Sequence, residues 1–181
     1  TTSRTLWDQG ENAPAIQLAF PFTGLGFKSW LNLPKDQCAL SLRFRPGYPS
    51  TALPSGMTLL ASLGYASSFD GGLHLYLKST VAGCVLALTR ADYDGSGVVT
   101  ATATIAFSAE SSHSIEVTQG PVRGLCIYLD GVLVGSDATA TAKLPFTVNL
   151  DELVVHALDV CSDVVAFSRE LDARQAGQFA S

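Results

Sequence analysis

Charge is scarce in this sequence, and its scarcity argues against several classes of protein. Only 15% of the 181 residues are Asp, Glu, Lys or Arg, whereas a soluble domain has about 25% on average. The 11 Lys and Arg residues are scattered and the formal net charge is -5, so the basic patch of a nucleic-acid-binding protein is lacking. Because 47% of the residues are hydrophobic, the composition also argues against intrinsic disorder.

Long hydrophobic runs are lacking as well. The best apolar stretch, residues 81–88, has the length of a strand and contains Gly83, far short of the roughly 18 apolar residues of a transmembrane helix. We therefore expect no membrane insertion. The first residues show no signal-peptide pattern, which fits either a mature end after cleavage or a cytosolic chain that has lost its Met.

Cysteine is present, but not in a metal-binding pattern. Cys38, Cys84, Cys126 and Cys161 form no C-x-x-C pair, and none is spaced from a His as zinc ligands are. Each lies in an apolar alternation, which favours small buried hydrophobic side chains. One or two disulfides are the alternative. We expect no resident cofactor, with calcium as the one metal that a motif suggests.

Alternation of apolar and polar residues with period 2 dominates what is present. Between residues 38 and 45, Cys38, Leu40, Leu42 and Phe44 share one face, as in a half-buried strand. Similar segments recur at spacings of about 8–12 residues, and strand–helix–strand alternation is missing. The sequence therefore predicts an all-β fold in which two antiparallel sheets form a β-sandwich.

Two local motifs sharpen this prediction. Asp130-Gly131 lies between two apolar runs, and this dipeptide is the strongest short signal for a hairpin with a type I′ turn. Asp172 followed by Gln175 has the spacing of a capping box, which predicts a short C-terminal helix. Residues 24–181 form the predicted sandwich domain, whereas residues 1–23 show no regular pattern and are interpreted as an irregular docking arm.

Several stretches, taken in order, resemble the concanavalin A-like lectin/glucanase superfamily in its laminin-G-like and pentraxin-like branch. They are residues 29–33 with 39–46, residues 57–64 with 72–77, the hairpin 126–136, and residues 164–172. The hairpin is similar to the family's YxDGxxVGS pattern. The resemblance implies a jelly-roll sandwich. Family members bind sugars, bind proteins, cleave glycans or serve as structural display, so fold alone does not settle function.

Catalytic carboxylates do not stand out. Glycan cleavage needs two carboxylates that flank the glycosidic bond, and the catalytic strand of family glucanases resembles E-x-D-x-E or E-x-D-x-x-E. The nearest match, Glu170 with Asp172, lacks the second Glu and lies at the predicted helix start, where acids favour the positive end of the helix dipole. Glu116 and Glu152 are isolated and are interpreted as solvated charges at strand edges.

A nucleophilic triad is not indicated either. The sequence has no G-x-S-x-G motif, one signature of an activated serine. The three histidines, His74, His113 and His156, are scattered along the chain and are interpreted as structural. We therefore predict that the chain is not an enzyme.

One turn partly matches a calcium-binding loop. Asp92, Asp94 and Ser96 supply oxygens at positions 1, 3 and 5, and Gly97 follows at position 6. Position 12, where a bidentate Glu is expected, holds Ala103. The resemblance to laminin-G-like domains implies one calcium ion at a sheet edge. A polar hairpin turn without metal is the alternative.

Aromatic side chains in or near predicted loops indicate a ligand site. Tyr65, Phe69 and Tyr93 are suited to stack on a sugar, and Asp70 beside Phe69 is suited to hydrogen-bond its hydroxyls. Local packing of these aromatic residues is the alternative.

Small, uncharged strand surfaces indicate either packing within one subunit or a subunit interface. Thr100, Thr102 and Thr104 alternate with small apolar residues, as do Thr139 and Thr141. We expect protein partners in a larger assembly and a homo-oligomer, with a glycan as a further ligand. The sequence thus predicts a non-catalytic, lectin-like module on a virion or extracellular surface, such as a phage or viral decoration or tail component. A secreted or surface carbohydrate-binding module is the alternative, and a glycan-cleaving enzyme is least favoured.

Overall fold

Strands account for most of the computed structural model. It describes residues 4–8, 13–17, 25–34, 36–52, 57–65, 68–80, 83–92, 97–139, 150–155 and 160–178. The elements in these ranges are β1 (Arg4–Asp8), β2 (Ala13–Gln17), β3 (Leu25–Leu33), β4 (Cys38–Arg45), β5 (Met57–Tyr65), β6 (Ser68–Thr80), β7 (Gly83–Ala91), β8 (Val99–Ile105), β9 (His113–Gly120), β10 (Gly124–Leu129), β11 (Val132–Asp137), β12 (Leu150–Val155), β13 (Val160–Phe167) and the helix α1 (Ala173–Gly177).

The strands form two antiparallel sheets. The seven-stranded sheet has the order β1-β2-β13-β4-β9-β10-β11, and the six-stranded sheet has the order β3-β12-β5-β6-β7-β8. The period-2 pattern explains the layering, because side chains along β8 are alternately buried and exposed over all seven residues. This arrangement confirms the predicted all-β, two-sheet fold. In the described ranges, no helix has the length and hydrophobicity needed to cross a membrane.

The core lies between the two sheets. Leu40, Leu42 and Phe44 of β4 and Leu75 and Leu77 of β6 are all at most 3% exposed. Burial of one such side chain stabilises the fold by about 1.5–3 kcal/mol. The alternating apolar faces therefore supply the main driving force for closing the sandwich.

Cys38, Cys84 and Cys126 are buried, free thiols, as the alternation of their strands predicts. Burial raises the pKa of Cys38 and of Cys84 to about 12, so both thiols are protonated and poorly reactive at neutral pH. The side chain of Cys161 lies outside the described residues.

The N-terminal segment differs from the sequence expectation. Residues 1–23, interpreted as irregular, contain β1 and β2, which pair with each other. β2 also pairs with β13 through Gln17 and Val160. The pattern was missed because each strand has five residues and β2 contains Pro14, which cannot donate a ladder hydrogen bond. Docking of this edge onto another molecule stays a prediction.

Both local motifs are confirmed. Asp130 and Gly131 have φ angles of 51° and 77°, as a type I′ turn requires. Gln175 N donates to Asp172 Oδ1 at 2.8 Å, and Asp172 N donates to Gln175 Oε1 at 3.0 Å, which completes the capping box of α1. The expected strand around Thr139 is wrong, because Asp137 Oδ1 accepts from Thr139 N at 2.8 Å and closes a turn there. Thr141 lies outside the described residues.

The segment leading into α1, together with the helix, packs against the seven-stranded sheet. Tyr128 Oη of β10 donates to Leu171 O at 3.4 Å, and Leu171 N donates to Thr118 Oγ1 of β9 at 3.1 Å. Ala176 joins Cys126 and Tyr128 in a small buried cluster. This segment therefore covers part of the sheet face that points away from the main core.

Candidate functional site

The strand register brings the predicted ligand residues to one end of the six-stranded sheet. Tyr65 ends β5 and pairs with Ser68, and Gly72 of β6 pairs with Ala91 at the end of β7. Phe69 and Asp70 follow Ser68 in β6, so their backbone lies at the same end. We call this the β5–β6 end of the sheet. The side chains of Tyr65, Phe69 and Asp70, and all of Tyr93, lie outside the described residues, so their contacts with a ligand stay a prediction.

A buried arginine holds the neighbouring loop. Arg90 is fully buried; its Nη2 donates to Asp92 Oδ1 at 2.7 Å and its Nη1 donates to Gly97 O at 3.3 Å. The two ends of loop 92–97 are thereby tied to one guanidinium group. A buried charge is tolerated only when it is paired and hydrogen-bonded. These two hydrogen bonds therefore hold Asp92 and Gly97 at the same guanidinium group.

The proposed calcium loop is partly visible. Asp92 is among the described residues. Its Oδ1 already accepts a hydrogen bond from Arg90, so a calcium ion at this oxygen would compete with a guanidinium group. Asp94 and Ser96 lie outside the described residues. Among the residues that are described, no three His, Cys, Asp or Glu side chains are grouped as a metal site. Calcium binding at Asp92, Asp94 and Ser96 stays a prediction.

The structure assembles a hydrogen-bonded chain that sequence reasoning missed. Ser111 Oγ lies 2.8 Å from His113 Nε2, and His113 Nδ1 lies 2.8 Å from Asp130 Oδ2. Asp130 Oδ1 accepts from Ser114 N at 2.9 Å. Histidine and aspartate are 17 residues apart in sequence, and only the pairing of β9 with β10 brings them together. The order of groups is that of a Ser-His-Asp triad.

The direction of the hydrogen bonds argues against a nucleophile. Ser111 Oγ donates to the carbonyl oxygen of Ser108, so the one proton of its hydroxyl is already engaged there and is not directed at His113. The imidazole packs against Phe44 and Phe107, with ring centroids 5.8 and 5.9 Å away. A catalytic base must instead accept the hydroxyl proton. The hydrogen bonds of Ser111, His113 and Asp130 therefore form a structural link between the start of β9 and the β10–β11 turn. We call this link the His113–Asp130 tie.

This tie gives a stability prediction. Asp130→Ala removes two acceptor oxygens and places alanine at a positive φ, so we expect the free energy of unfolding to fall by about 2–3 kcal/mol. Asparagine tolerates the positive φ and keeps one acceptor oxygen, so Asp130→Asn should lower the free energy of unfolding by less. Urea denaturation of both variants, with the exposed Ser112→Ala as control, measures the difference. An Asp130→Ala variant as stable as the control contradicts the assignment.

The structure shows that the interpretation of Glu116 from the sequence was wrong. Glu116 is not a solvated edge charge but is fully buried on β9, between Ser41 of β4 and Tyr128 of β10. Burial raises the pKa of Glu116 to about 7, partly offset by its polar neighbours, and Ser41 Oγ donates to Oε1 at 3.3 Å. The sequence does not reveal this burial because residues 114–118 read as an ordinary alternating strand. The side chain of Glu152 lies outside the described residues.

The two carboxylates nearest to a glucanase pattern have structural contacts. Glu170 Oε1 accepts from Val122 N at 3.1 Å and from Arg123 N at 3.2 Å, and so closes the β9–β10 turn. Asp172 caps α1. Neither carboxylate is paired across a cleft with the other, so their placement fits the structural interpretation of this segment.

Comparison with known proteins identifies the fold. No protein-family model and no curated protein matches the sequence. Among solved structures, the botulinum neurotoxin serotype G binding domain is similar, with a TM-score of 0.71, 15% identity, and coverage of 99% of this chain and 44% of that chain. The receptor binding domain of botulinum neurotoxin D gives a TM-score of 0.68, 10% identity, and coverage of 99% and 47%.

A shorter protein is also similar. The native heptameric SAP-like pentraxin from Limulus polyphemus gives a TM-score of 0.64, 14% identity, and coverage of 91% of this chain and 78% of that chain. The chain spans less than half the length of the toxin domains. These likenesses confirm the concanavalin A-like jelly-roll sandwich that the sequence resemblance implies. At such low identity they establish the fold alone.

Proposed function

We propose that this chain is a non-catalytic, lectin-like binding module carried on a larger assembly, such as a phage or viral virion decoration or tail component. The observation that carries the proposal is the register at the β5–β6 end: the backbone of Tyr65, Phe69 and Asp70 lies at the same end of the sheet as Asp92 and Gly97, which Arg90 binds. Rigid sandwiches commonly present binding loops in this way. The module acts at a virion or extracellular surface and as a homo-oligomer.

The carboxylates support a binding role over catalysis. Glu170 and Asp172 are occupied by backbone hydrogen bonds, and Glu116 is buried where a substrate does not reach it. Ser111 donates its proton to a carbonyl. Glu170, Asp172 and Glu116 are therefore not placed as a pair of accessible carboxylates around a substrate, and Ser111 is not placed as an activated serine.

The solved structures with this fold include a heptameric pentraxin and toxin domains described as binding domains. These names describe those proteins. They support the proposal that this chain also uses the fold for display and binding. A secreted or surface carbohydrate-binding module is the second candidate, favoured by the three candidate ligand residues at the β5–β6 end.

A glycan array combined with light scattering tests the proposal. We expect an oligomer in light scattering, and sub-millimolar binding to a defined sugar that Asp70→Asn weakens about tenfold, the effect of one lost hydrogen bond to a ligand. Glu110→Gln, an exposed carboxylate in a turn, serves as control. Turnover of any glycan on the array, or a strict monomer without a ligand, contradicts the proposal. Tight sugar binding by a monomer favours the second candidate.

A further inference from the structure

The core face of β7 ends in an arginine. Cys84, Leu86 and Leu88 are completely buried, and the alternation along β7 places Arg90 on the same face, also at 0% exposure. A buried charge is costly unless it is paired and hydrogen-bonded, so an arginine at this position requires compensating contacts. Its guanidinium group makes them with the two residues that flank residues 93–96.

Arg90 binds both ends of the turn that partly matches a calcium-binding loop. Its Nη2 lies 2.7 Å from Asp92 Oδ1, and its Nη1 lies 3.3 Å from Gly97 O. Carboxylate oxygens and backbone carbonyl oxygens are the types of ligand that calcium takes in proteins. The guanidinium group therefore binds oxygens of the kind that this motif would offer to a metal ion.

The surroundings of Asp92 do not fit a calcium ion while Arg90 is in place. Calcium binds carboxylate oxygens at about 2.3–2.6 Å, so an ion on Oδ1 would lie within about 5 Å of a guanidinium nitrogen, and two cations that close repel each other. The other oxygen, Oδ2, lies against Gly97, where a Cβ would collide with it. Position 12 of the motif falls on Ala103, a buried core residue of β8, which has no side-chain oxygen.

We infer that Arg90 is the resident cation of this turn and takes the place that the D-x-D-x-S-G motif would give to calcium. The inference favours the polar turn without metal over the calcium site at Asp92, Asp94 and Ser96. It concerns how the turn is stabilised, so it does not depend on the proposed function. It also explains why an arginine follows Leu88 on the core face of β7, since its long side chain reaches from the core to both ends of the turn.

Thermal unfolding in EDTA and in calcium chloride at about 5 mM tests the inference. We expect the Tm of the wild type to be the same in both solutions. Arg90→Ser removes the guanidinium group and leaves its oxygen partners open, so calcium at about ten times its Kd should raise the Tm of this variant by about 3–6 °C. Arg90→Met also removes the charge, but its apolar side chain fills much of the space, so calcium should leave its Tm unchanged.

Two further variants assign the response to this turn. Arg45→Ser is the matched control, because Arg45 pairs with the exposed Glu110 and its loss should create no calcium response. The double variant Arg90→Ser/Asp92→Asn should lose the response of Arg90→Ser.

Two outcomes overturn the inference. One is a calcium response of the wild type that Asp92→Asn abolishes, because calcium then binds Asp92 beside the guanidinium group. The other is an Arg90→Ser variant that calcium does not stabilise. If Arg90→Ser is unfolded in EDTA, recovery of its far-ultraviolet circular dichroism on addition of calcium supports the inference, and no recovery overturns it.

Discussion

Replacement of Gly72 by alanine is expected to lower the free energy of unfolding by about 3 kcal/mol or more, through backbone strain and overpacking. Gly72 has a φ of 118°, which residues with a Cβ rarely adopt. A Cβ there would also collide with the carbonyl oxygen of Leu63 and approach Gly64 Cα to 2.7 Å. Both are backbone atoms of the neighbouring strand β5, so neither moves without disturbing the sheet.

The same substitution should damage the candidate site. The β5–β6 pairing shifts register between Gly64 and Tyr65, directly after Gly64 pairs with Gly72. A displaced Gly72 therefore shifts the backbone that carries Tyr65, Phe69 and Asp70. We expect Gly72→Ala to lose ligand binding at the β5–β6 end even at temperatures where the chain remains folded.

Urea denaturation and ligand titration of Gly72→Ala measure the two effects. Gly177→Ala is the matched control, because a Cβ at Gly177 meets nothing within 4 Å and alanine favours a helix by up to about 1 kcal/mol. That control should be as stable as the wild type or slightly more stable. Equal stability of the two glycine variants would show that β6 does not need the conformation of Gly72.

Local sequence patterns were sufficient to predict the two-sheet fold. The alternation in β4 marks its core face, and Asp130-Gly131 marks the hairpin. Each of these signals depends on residues within a few positions of one another. The sequence did not predict strand β2. Its partner Val160 in β13 lies more than a hundred residues away, and Pro14 weakens its strand pattern.

The candidate site was only partly predictable for the same reason. The nearness of Tyr65 to Phe69 follows from one hairpin, which the sequence indicates. The tie from His113 to Asp130 depends on the register of β9 against β10, where a slip of one residue would move every side chain to the other face. The environment of Glu116 also depends on long-range pairing, since Ser41 of β4 lies beside it on one side and Tyr128 of β10 on the other.

Glutamine in place of Glu116 is expected to stabilise the chain at pH 8 and to change its stability much less near pH 5. The pKa of Glu116 is raised from 4.5 to about 7, chiefly by burial. The folded state therefore holds the proton more tightly than the unfolded state. The stability that the protonated carboxyl provides is fully present below pH 4.5 and is lost as the pH rises through about 7.

Glutamine has nearly the shape of the protonated acid but does not ionise, so Glu116→Gln should remove this loss. One unit of pKa corresponds to about 1.4 kcal/mol, and with relaxation of the site we expect a gain of about 1–3 kcal/mol at pH 8. For a domain of this size that is a rise in Tm of roughly 2–4 °C per kcal/mol. Thermal unfolding of the wild type and of Glu116→Gln between about pH 5 and pH 8 measures this gain in stability.

The charged groups around Glu116 are Asp130, which raises its pKa, and Arg43, which lowers it. Both are present in the wild type and in the variant, so the comparison isolates the one carboxyl. Glu110→Gln is the control, because its side chain is 65% exposed and an exposed charge contributes little. A stability difference between wild type and Glu116→Gln that stays constant from pH 5 to pH 8 contradicts a buried, titrating carboxyl. So does a variant that is less stable than the wild type at pH 8, because the charged carboxylate would then be the favoured form in the folded sheet.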